Sequence, residues 1–154
     1  MPTIRIETII AAPAEVCFDL ARDTNIHQQS VAQTAERVVM APAHERMELG
    51  DVVTWEATHF GIRQRLTARI THYDAPNCFV DEMVRGVFHS FVHTHEFIPA
   101  ADGTRMIDTF AYTAPLGRFG KLADALFLTR YMRKLLAGRC EHLKAVAESG
   151  TYAR

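Results

Sequence analysis

The sequence contains few cysteines and none in a paired spacing. Its three cysteines, Cys17, Cys78 and Cys140, are odd in number and widely separated, with no CxxC pair among them. A disulfide framework or a zinc knuckle normally needs paired or regularly spaced cysteines. We therefore expect a reducing compartment, with Cys17 and Cys140 as inert buried thiols on helices.

The chain also lacks an excess of either charge. Its 17 basic and 18 acidic residues give a net charge of -1 with neutral histidines. Proteins that bind nucleic acid or anionic membranes usually carry a strong positive field. No nucleic-acid partner is expected.

Long hydrophobic runs are absent as well. No apolar run approaches the ~18 residues that a membrane-spanning helix needs, and residues 1–7 enter a strand pattern without the apolar segment of a signal peptide. We expect no stable membrane insertion and a cytoplasmic location. Because no linker, repeat or low-complexity tract is present, residues 1–154 are expected to form a single domain.

The first quarter of the chain predicts a strand, two short helices and another strand. Thr3–Ile10 alternates between apolar and polar residues, which is typical of a half-buried strand. A proline and a glutamate then suit the first turn of a helix. Thr24 or Asn25 could cap a second helix that continues through Val31. Residues 36–40 are expected to form the second strand.

The segments 52–60 and 62–70 predict a β-hairpin that turns at Phe60 and Gly61. The apolar faces of the two segments coincide in this register, which supports it. The opposite face of the second segment carries three arginines and is expected to face water. The predicted facing pairs are His59 with Ile62, Ala57 with Gln64, Trp55 with Leu66, and Val53 with Ala68.

Three more strands are predicted over 78–85, 88–98 and 104–113. For the first, the inward face is either that of Phe79, Asp81 and Met83 or that of Val80, Glu82 and Val84. The other two form a hairpin around a turn at 100–103. Facing residues would then have Cβ atoms about 5 Å apart, close enough for an imidazole–carboxylate hydrogen bond. The predicted pairs are Phe97 with Met106, His95 with Asp108, His93 with Phe110, and Phe91 with Tyr112.

The last third of the chain, 114–149, predicts one long helix. A helix of about 30 residues would span about 45 Å. Its apolar stripe needs an equally long surface, which the strands provide. Arg139 interrupts the stripe, so it either snorkels outward or pairs with an acid such as Glu82. The stripe consists of Leu122, Leu126, Thr129, Met132, Leu135, Leu136, Leu143 and Val146.

This element order predicts an α+β fold. A curved antiparallel sheet of about six to seven strands would wrap around the long C-terminal helix, with two short helices after the first strand.

Several short segments resemble the START-like helix-grip superfamily, and within it the polyketide cyclase/dehydrase-type SRPBCC proteins. They are APAEV at 12–16, GDVVTW at 50–55, HFG at 59–61, FVDE at 79–82, GVF at 86–88, FxHxHxF at 91–97, and DxxxYxxPxG at 108–117. They span nearly the whole chain, and none is a catalytic signature. The resemblance implies a deep cavity between sheet and helix that binds lipids, polyketides or other largely apolar molecules. It also implies that a minority of members catalyse cyclisation or dehydration there.

His93, His95 and Asp108 form the most distinctive polar pattern, and three interpretations remain open. His95 and Asp108 could be a buried pair that fixes the strand register. The histidines could bind a polar ligand group or act as an acid–base pair with Asp108. An HxH motif with a carboxylate could also hold zinc or iron, but the spacing supplies no third ligand beyond a conceivable His59. We therefore expect no metal site and no cofactor.

The predicted partner is a small apolar or amphipathic ligand. A binding or carrier protein is the leading hypothesis, with a cyclase/dehydrase-like enzyme using His93, His95 and Asp108 as the alternative. A regulatory protein that docks through apolar residues 119–128 is a third. Ligand identity, catalysis and the choice between monomer and homodimer stay open. The predicted ligand-binding residues are Trp55, His59, Gln64, Leu66, Phe91, His93, His95, Asp108, Tyr112, Leu126 and Met132.

Overall fold

A computed structural model of the chain describes residues 2–30, 35–114, 117–123 and 127–150. Within them, seven antiparallel strands form one sheet in the order β1-β7-β6-β5-β4-β3-β2. This arrangement confirms the predicted fold class. The strands are β1 (Thr3–Ile10), β2 (Arg37–Met40), β3 (Val52–His59), β4 (Ile62–Asp74), β5 (Cys78–Arg85), β6 (Ser90–Ala100) and β7 (Gly103–Thr113).

Four described helices accompany the sheet: α1 (Ala14–Ala21), α2 (Thr24–Ser30), α3 (Gly117–Ala123) and α4 (Thr129–Ser149). The helix α4 contacts β1, α1 and α2. It buries one side, formed by Met132, Leu135, Leu136, Cys140, Leu143 and Ala147. Gly150 ends it in a left-handed conformation, as is common at helix C-termini.

The predicted long helix corresponds to α3 and α4 together. Residues 124–126 between them lie outside the described part, and the predicted ligand-binding residue Leu126 is one of these. Leu122 is predicted to belong to the apolar stripe, but its side chain is exposed. A helical period reports a repeating face and does not tell whether a surface covers that face.

The start of α2 differs from its prediction by one residue. The side chain of Asp23 accepts the backbone N–H groups of Asn25 and Ile26 at 2.9 and 3.2 Å. Asp23 is therefore the cap, and Thr24 is the first helical residue. The expectation that Thr24 or Asn25 caps this helix is wrong, because aspartate fills the same role one position earlier.

Both predicted hairpin registers are confirmed. In β3–β4, Trp55 faces Leu66 and His59 faces Ile62, and in β6–β7, His95 faces Asp108. At the first turn, Phe60 and Gly61 have φ values of 53° and 73°. Two successive positive φ angles match the turn type that follows the twist of a two-residue hairpin.

The open question about β5 is answered by its pairing with β6. Phe79 faces His95 and Asp81 faces His93, so the inward face is that of Phe79, Asp81 and Met83. Apolar residues then pack in two groups along the concave face of the sheet. One group centres on Phe18, Phe79 and Phe97, and the other on Phe91, Phe110, Tyr112 and Leu136.

Candidate functional site

A cavity of about 300 Å³ lies between the concave face of the sheet and α4. Its walls are largely apolar, and polar side chains are gathered in a few places. Phe60 and Val87 line it while remaining exposed to solvent, so they lie where the cavity meets the surface. A volume of this size is at the lower end of that of ligand sites in proteins.

Most of the predicted ligand-binding residues line this cavity. They are Trp55, His59, Gln64, Leu66, Phe91, His93, His95, Asp108 and Met132. Tyr112 is not among the described lining residues; it is fully buried in the core with its hydroxyl 2.9 Å from that of Thr129. Leu126 lies outside the described residues.

Four polar side chains meet on the inward faces of β5, β6 and β7, and we call them the inner cluster: Asp81, His93, His95 and Asp108. His95 Nε2 lies 2.8 Å from Asp81 Oδ1, and its Nδ1 lies 3.4 Å from Asp108 Oδ1. His93 Nε2 lies 3.3 Å from Asp108 Oδ2. The two carboxylates therefore hold the two imidazoles between them.

Three members of the inner cluster, His93, His95 and Asp108, are predicted site residues, and Asp81 is the fourth. The register of β6 with β7 places Asp108 opposite His95, as predicted. Asp81 comes from β5, whose alternation allowed either face inward. His59, the conceivable third metal ligand, lies elsewhere in the cavity, where its Nδ1 is hydrogen-bonded to the Tyr131 hydroxyl.

Aromatic rings fix the orientation of both histidines. The ring of His95 stacks on that of Phe79 at 4.2 Å and lies against the tilted ring of His93 at 3.9 Å, measured between ring centroids. Phe110 meets the His93 ring edge to face. With their rings packed in this way and one nitrogen of each hydrogen-bonded to a carboxylate, the imidazoles have little rotational freedom.

The inner cluster separates the pKa values of its two histidines. Burial opposes a charge on either imidazole, but the Asp108 and Asp81 carboxylates outweigh it at His95 and raise its pKa to about 9. At His93, burial and the neighbouring charge of His95 lower the pKa. Although burial alone would raise it, the pKa of Asp108 is held well below its usual range by the two histidines.

Cys140 on α4 closes one side of the inner cluster. Its Sγ lies 3.5 Å from Asp108 Oδ2, and burial together with that carboxylate raises the pKa of the thiol. The thiol is therefore neutral and can donate a weak hydrogen bond. Cys140 and Cys17 are both buried and free, as expected.

A second polar group lines the cavity near α2, and we call it the Glu36 triad: His27, Glu36 and Arg139. Arg139 donates to His27 Nδ1 at 3.1 Å, so His27 is neutral and carries its proton on Nε2, 2.9 Å from Glu36. The Nε2–Glu36 contact is short but poorly aligned for a hydrogen bond. Burial and the Arg139 charge lower the pKa of His27 to about 4.

The Glu36 triad decides between the two alternatives for Arg139. Arg139 lines the cavity and lies 3.7 Å from Glu36, so it pairs with an acid, as one alternative expected, but the acid is Glu36 and not the suggested Glu82. The ring of His27 also stacks on Trp55 at 3.9 Å. Neither His27 nor Glu36 was predicted to belong to the site, because no spacing rule connects α2 to the middle of α4.

A contrasting polar group lies on the opposite face of the sheet, and we call it the outer cluster: Arg37, Glu56, Arg63 and Arg65. The Glu56 carboxylate accepts four hydrogen bonds from the three guanidinium groups at 2.8 to 3.2 Å. These bonds lower the pKa of Glu56 to about 2. The arginine side chains are 42 to 68% exposed, so they lie on a face of the sheet that contacts water, as expected for the arginines of β4.

Comparison with protein families gives one match that covers most of the chain. The model of the family described as "Polyketide cyclase / dehydrase and lipid transport" matches residues 1–148. Among curated proteins, none matches the sequence.

Among the described residues, no helix is long and apolar enough to cross a membrane.

Solved structures share the fold. The protein TTHA0849 from Thermus thermophilus is 26% identical with a TM-score of 0.74, over 95% of this chain and 99% of that one. The ginseng major latex-like protein 151 from Panax ginseng is 18% identical with a TM-score of 0.69, over 95% and 97%. The di-domain ARO/CYC protein StfQ of the steffimycin biosynthetic pathway is 16% identical with a TM-score of 0.75. The match covers 96% of this chain and 50% of StfQ.

Proposed function

This chain belongs to the polyketide cyclase/dehydrase and lipid transport family, and we propose that it binds one small amphipathic molecule in the cavity beneath α4. The observation that carries the proposal is the distribution of polarity inside the cavity. Its wall is mainly aliphatic and aromatic, and its polar side chains include the Glu36 triad, whose members contact one another, and the inner cluster on β5, β6 and β7. An apolar body with one hydroxyl or carbonyl group would match the apolar wall and the inner cluster.

The apolar wall would supply most of the affinity. Leu66, Phe91 and Met132 present carbon surface to the cavity, and burying apolar surface stabilises a complex by about 25 cal/mol per Å² before the cost of association. A purely hydrophilic molecule would gain nothing from this wall. The occupant is therefore expected to be mostly hydrocarbon.

The inner cluster would set the orientation of that molecule. His93 is buried with its ring already fixed by Asp108 and Phe110. A ligand hydroxyl placed against such a fixed group loses less entropy than one placed against a mobile side chain. The ligand's polar end would therefore lie at β6 and its apolar tail would extend toward Phe60 and Val87.

Trp55 allows a direct binding test. It is the only tryptophan of the chain and it lines the cavity. Titration with 1-decanol, which does not absorb where tryptophan does, should shift Trp55 fluorescence and saturate at one molecule per chain. A parallel titration with decane, which lacks the hydroxyl, should bind more weakly.

Two matched variants decide whether the signal comes from the cavity. Ala68→Phe places a ring in the cavity wall and should abolish the shift. Ala111→Phe adds the same ring to β7 at a position outside the described cavity lining and should leave the shift unchanged. Circular dichroism checks that both variants fold. Equal titration curves for Ala68→Phe and the parent chain would refute binding in this cavity.

A second candidate function is a cyclase/dehydrase-like enzyme that uses His93, His95 and Asp108. The observation that favours it is two imidazoles side by side at the cavity wall, each contacted by a carboxylate. In an intramolecular aldol step, one imidazole would remove a proton α to a carbonyl and the other would protonate the carbonyl oxygen that is attacked. Loss of water would follow.

Turnover of a synthetic poly-β-ketone thioester separates the two functions. An enzyme should release a cyclised product and one water for each ring dehydrated, and His93→Phe should abolish this while the folded structure is retained. Saturable 1-decanol binding without any turnover would support a binding function and exclude the cyclase/dehydrase activity on this substrate.

A further inference from the structure

We propose that Asp81, His93 and His95 form a binding site for one divalent transition-metal ion of the zinc or iron(II) class at the polar wall of the cavity. One ring nitrogen of each histidine and one carboxylate oxygen of Asp81 all lie within 4.8 Å of one another. The proposal goes beyond ligand binding, because it does not depend on which molecule occupies the apolar part.

The strand geometry explains why these three residues converge. Residues two apart on a strand point to the same face, so His93 and His95 project together from β6. Asp81 is the cross-strand partner of His93 on β5, and cross-strand partners have Cβ atoms about 5 Å apart. Such an HxH pair with a facing carboxylate supplies three donors from one rigid sheet.

The distances require only small side-chain movements. Ligand atoms at about 2.0 to 2.2 Å from an ion lie roughly 3 to 3.5 Å from one another in tetrahedral or octahedral sites. His95 Nε2 and Asp81 Oδ1 are already 2.8 Å apart. The His93 donor lies within 4.8 Å of both atoms, a gap that small movements of the Asp81 and His93 side chains would close.

Asp108 contacts the nitrogens of His93 and His95 that would not bind the ion. One of its oxygens lies 3.4 Å from His95 Nδ1 and the other 3.3 Å from His93 Nε2. Metal-binding histidines characteristically donate their second N–H to a carboxylate, which orients the ring and makes the other nitrogen a better ligand. Asp108 would do this for both rings at once, leaving His95 Nε2 and His93 Nδ1 for the ion.

The Asp108 carboxylate provides a second observation. Its Oδ1 is buried, and the approach of His95 is too poorly aligned to count as a hydrogen bond. A buried oxygen without an aligned partner is costly. A small reorientation of the His95 ring on binding an ion would supply that partner.

Charge and donor type indicate the class of ion. An ion that binds His95 Nε2 displaces the proton there; Asp81 and Asp108 then bring two negative charges into an apolar cavity, which a divalent cation balances. Two nitrogens and one oxygen suit zinc or iron(II), whereas magnesium and calcium prefer oxygen ligands alone. Three protein ligands leave a coordination position open toward the cavity, where a polar group of a bound molecule could reach the ion.

Cobalt(II) is the probe for a first test. Chelator-treated protein titrated with Co²⁺ should bind one equivalent and show visible absorption bands of a low-coordinate nitrogen–oxygen site, and Zn²⁺ should displace it. His93→Ala, His95→Ala and Asp81→Ala should each weaken binding at least 100-fold. Asp108→Asn should weaken it roughly 10- to 100-fold, as expected for a residue that positions the ligands.

His44→Ala is the matched control. His44 lies 2.6 Å from Asp51 in an exposed histidine–carboxylate pair, so its loss should leave Co²⁺ binding within twofold of the parent chain. If His44→Ala weakens binding as much as His93→Ala, the ion is bound adventitiously and the proposal fails.

Anomalous diffraction from crystals of the parent chain grown with Zn²⁺ tests the site without any substitution. The proposal requires one peak between Asp81, His93 and His95. A peak elsewhere, or no Co²⁺ binding below millimolar concentration, would overturn it even if a variant failed to fold.

Discussion

The inner and outer clusters are built by the same cross-strand rule on opposite faces of one sheet. Glu56 faces Arg37 and Arg65 on neighbouring strands, just as Asp81 faces His93 and Asp108 faces His95. In the outer cluster, one carboxylate accepts four aligned hydrogen bonds. In the inner cluster, two of the three imidazole–carboxylate contacts are 3.3 Å or longer.

The two clusters differ in their exposure to water and in how fully their carboxylate oxygens are hydrogen-bonded. The arginines of the outer cluster extend into water, so the charges there are screened and each carboxylate oxygen has partners. The inner cluster is enclosed in a mainly apolar cavity, and Asp108 Oδ1 lacks an aligned hydrogen bond. A hydrogen-bonding atom without an aligned partner within the chain is available to a ligand.

Removal of Asp108 should have the largest effect on stability. Asp108→Ala takes away the carboxylate that contacts both His93 and His95, and breaking a buried ion pair by deleting one partner costs about 3 kcal/mol or more. Urea unfolding at pH 7 measures the change. Glu56→Ala is the matched variant of the outer cluster and should lower the unfolding midpoint much less. Equal losses for the two variants would contradict the comparison.

Protonation of His27, which lines the cavity, should lower the free energy of unfolding at a higher pH than protonation of Glu56 in the outer cluster does. Its pKa of about 4 in the folded chain is below the usual 6.5, so the unfolded chain binds the extra proton first as the pH falls. The contribution of His27 to stability is then full above pH 6.5 and falls between pH 6.5 and 4, by about 3 kcal/mol at 1.36 kcal/mol per pH unit.

Urea unfolding at pH 7, 5.5 and 4 checks this, with His27→Gln as the comparison. The variant keeps a polar side chain but has no proton to gain in this range, so its stability should fall less steeply. A parent chain and variant with parallel profiles would show that His27 does not titrate as described.

The outer cluster should respond at lower pH and more weakly. The pKa of Glu56 is lowered from 4.5 to about 2, so its contribution is present above pH 4.5 and is lost as the pH falls toward 2. Glu56→Gln should therefore be less stable than the parent chain at pH 7, with the gap closing near pH 2. Because the arginines are exposed, 1 M salt should also narrow the gap. A gap that salt leaves unchanged would contradict a screened surface cluster.

The sequence was sufficient for the sheet and for part of the site. Alternation and turn residues predicted both hairpin registers, because a shift of one residue would turn every apolar side chain to the wrong face. The predicted registers placed His95 opposite Asp108 and Trp55 opposite Leu66. It could not choose a face for Asp81, because either choice put one acid and two apolar residues inside.

The Glu36 triad could not be predicted from the sequence. His27, Glu36 and Arg139 come from segments that no repeat or pairing rule relates, and only the packing of α4 against α2 brings them together. The same packing brings Arg139 to the cavity, whereas Leu122, on α3, is exposed. Helical periodicity defines a face, and tertiary contacts determine what that face meets.

Native mass spectrometry of the freshly purified chain, followed by organic extraction, tests the central claim that the cavity holds a small amphipathic molecule. We expect a stoichiometric adduct of roughly a few hundred daltons, released by solvent and absent from Ala68→Phe. The bare polypeptide mass for the parent chain, unchanged by added 1-decanol, would contradict it.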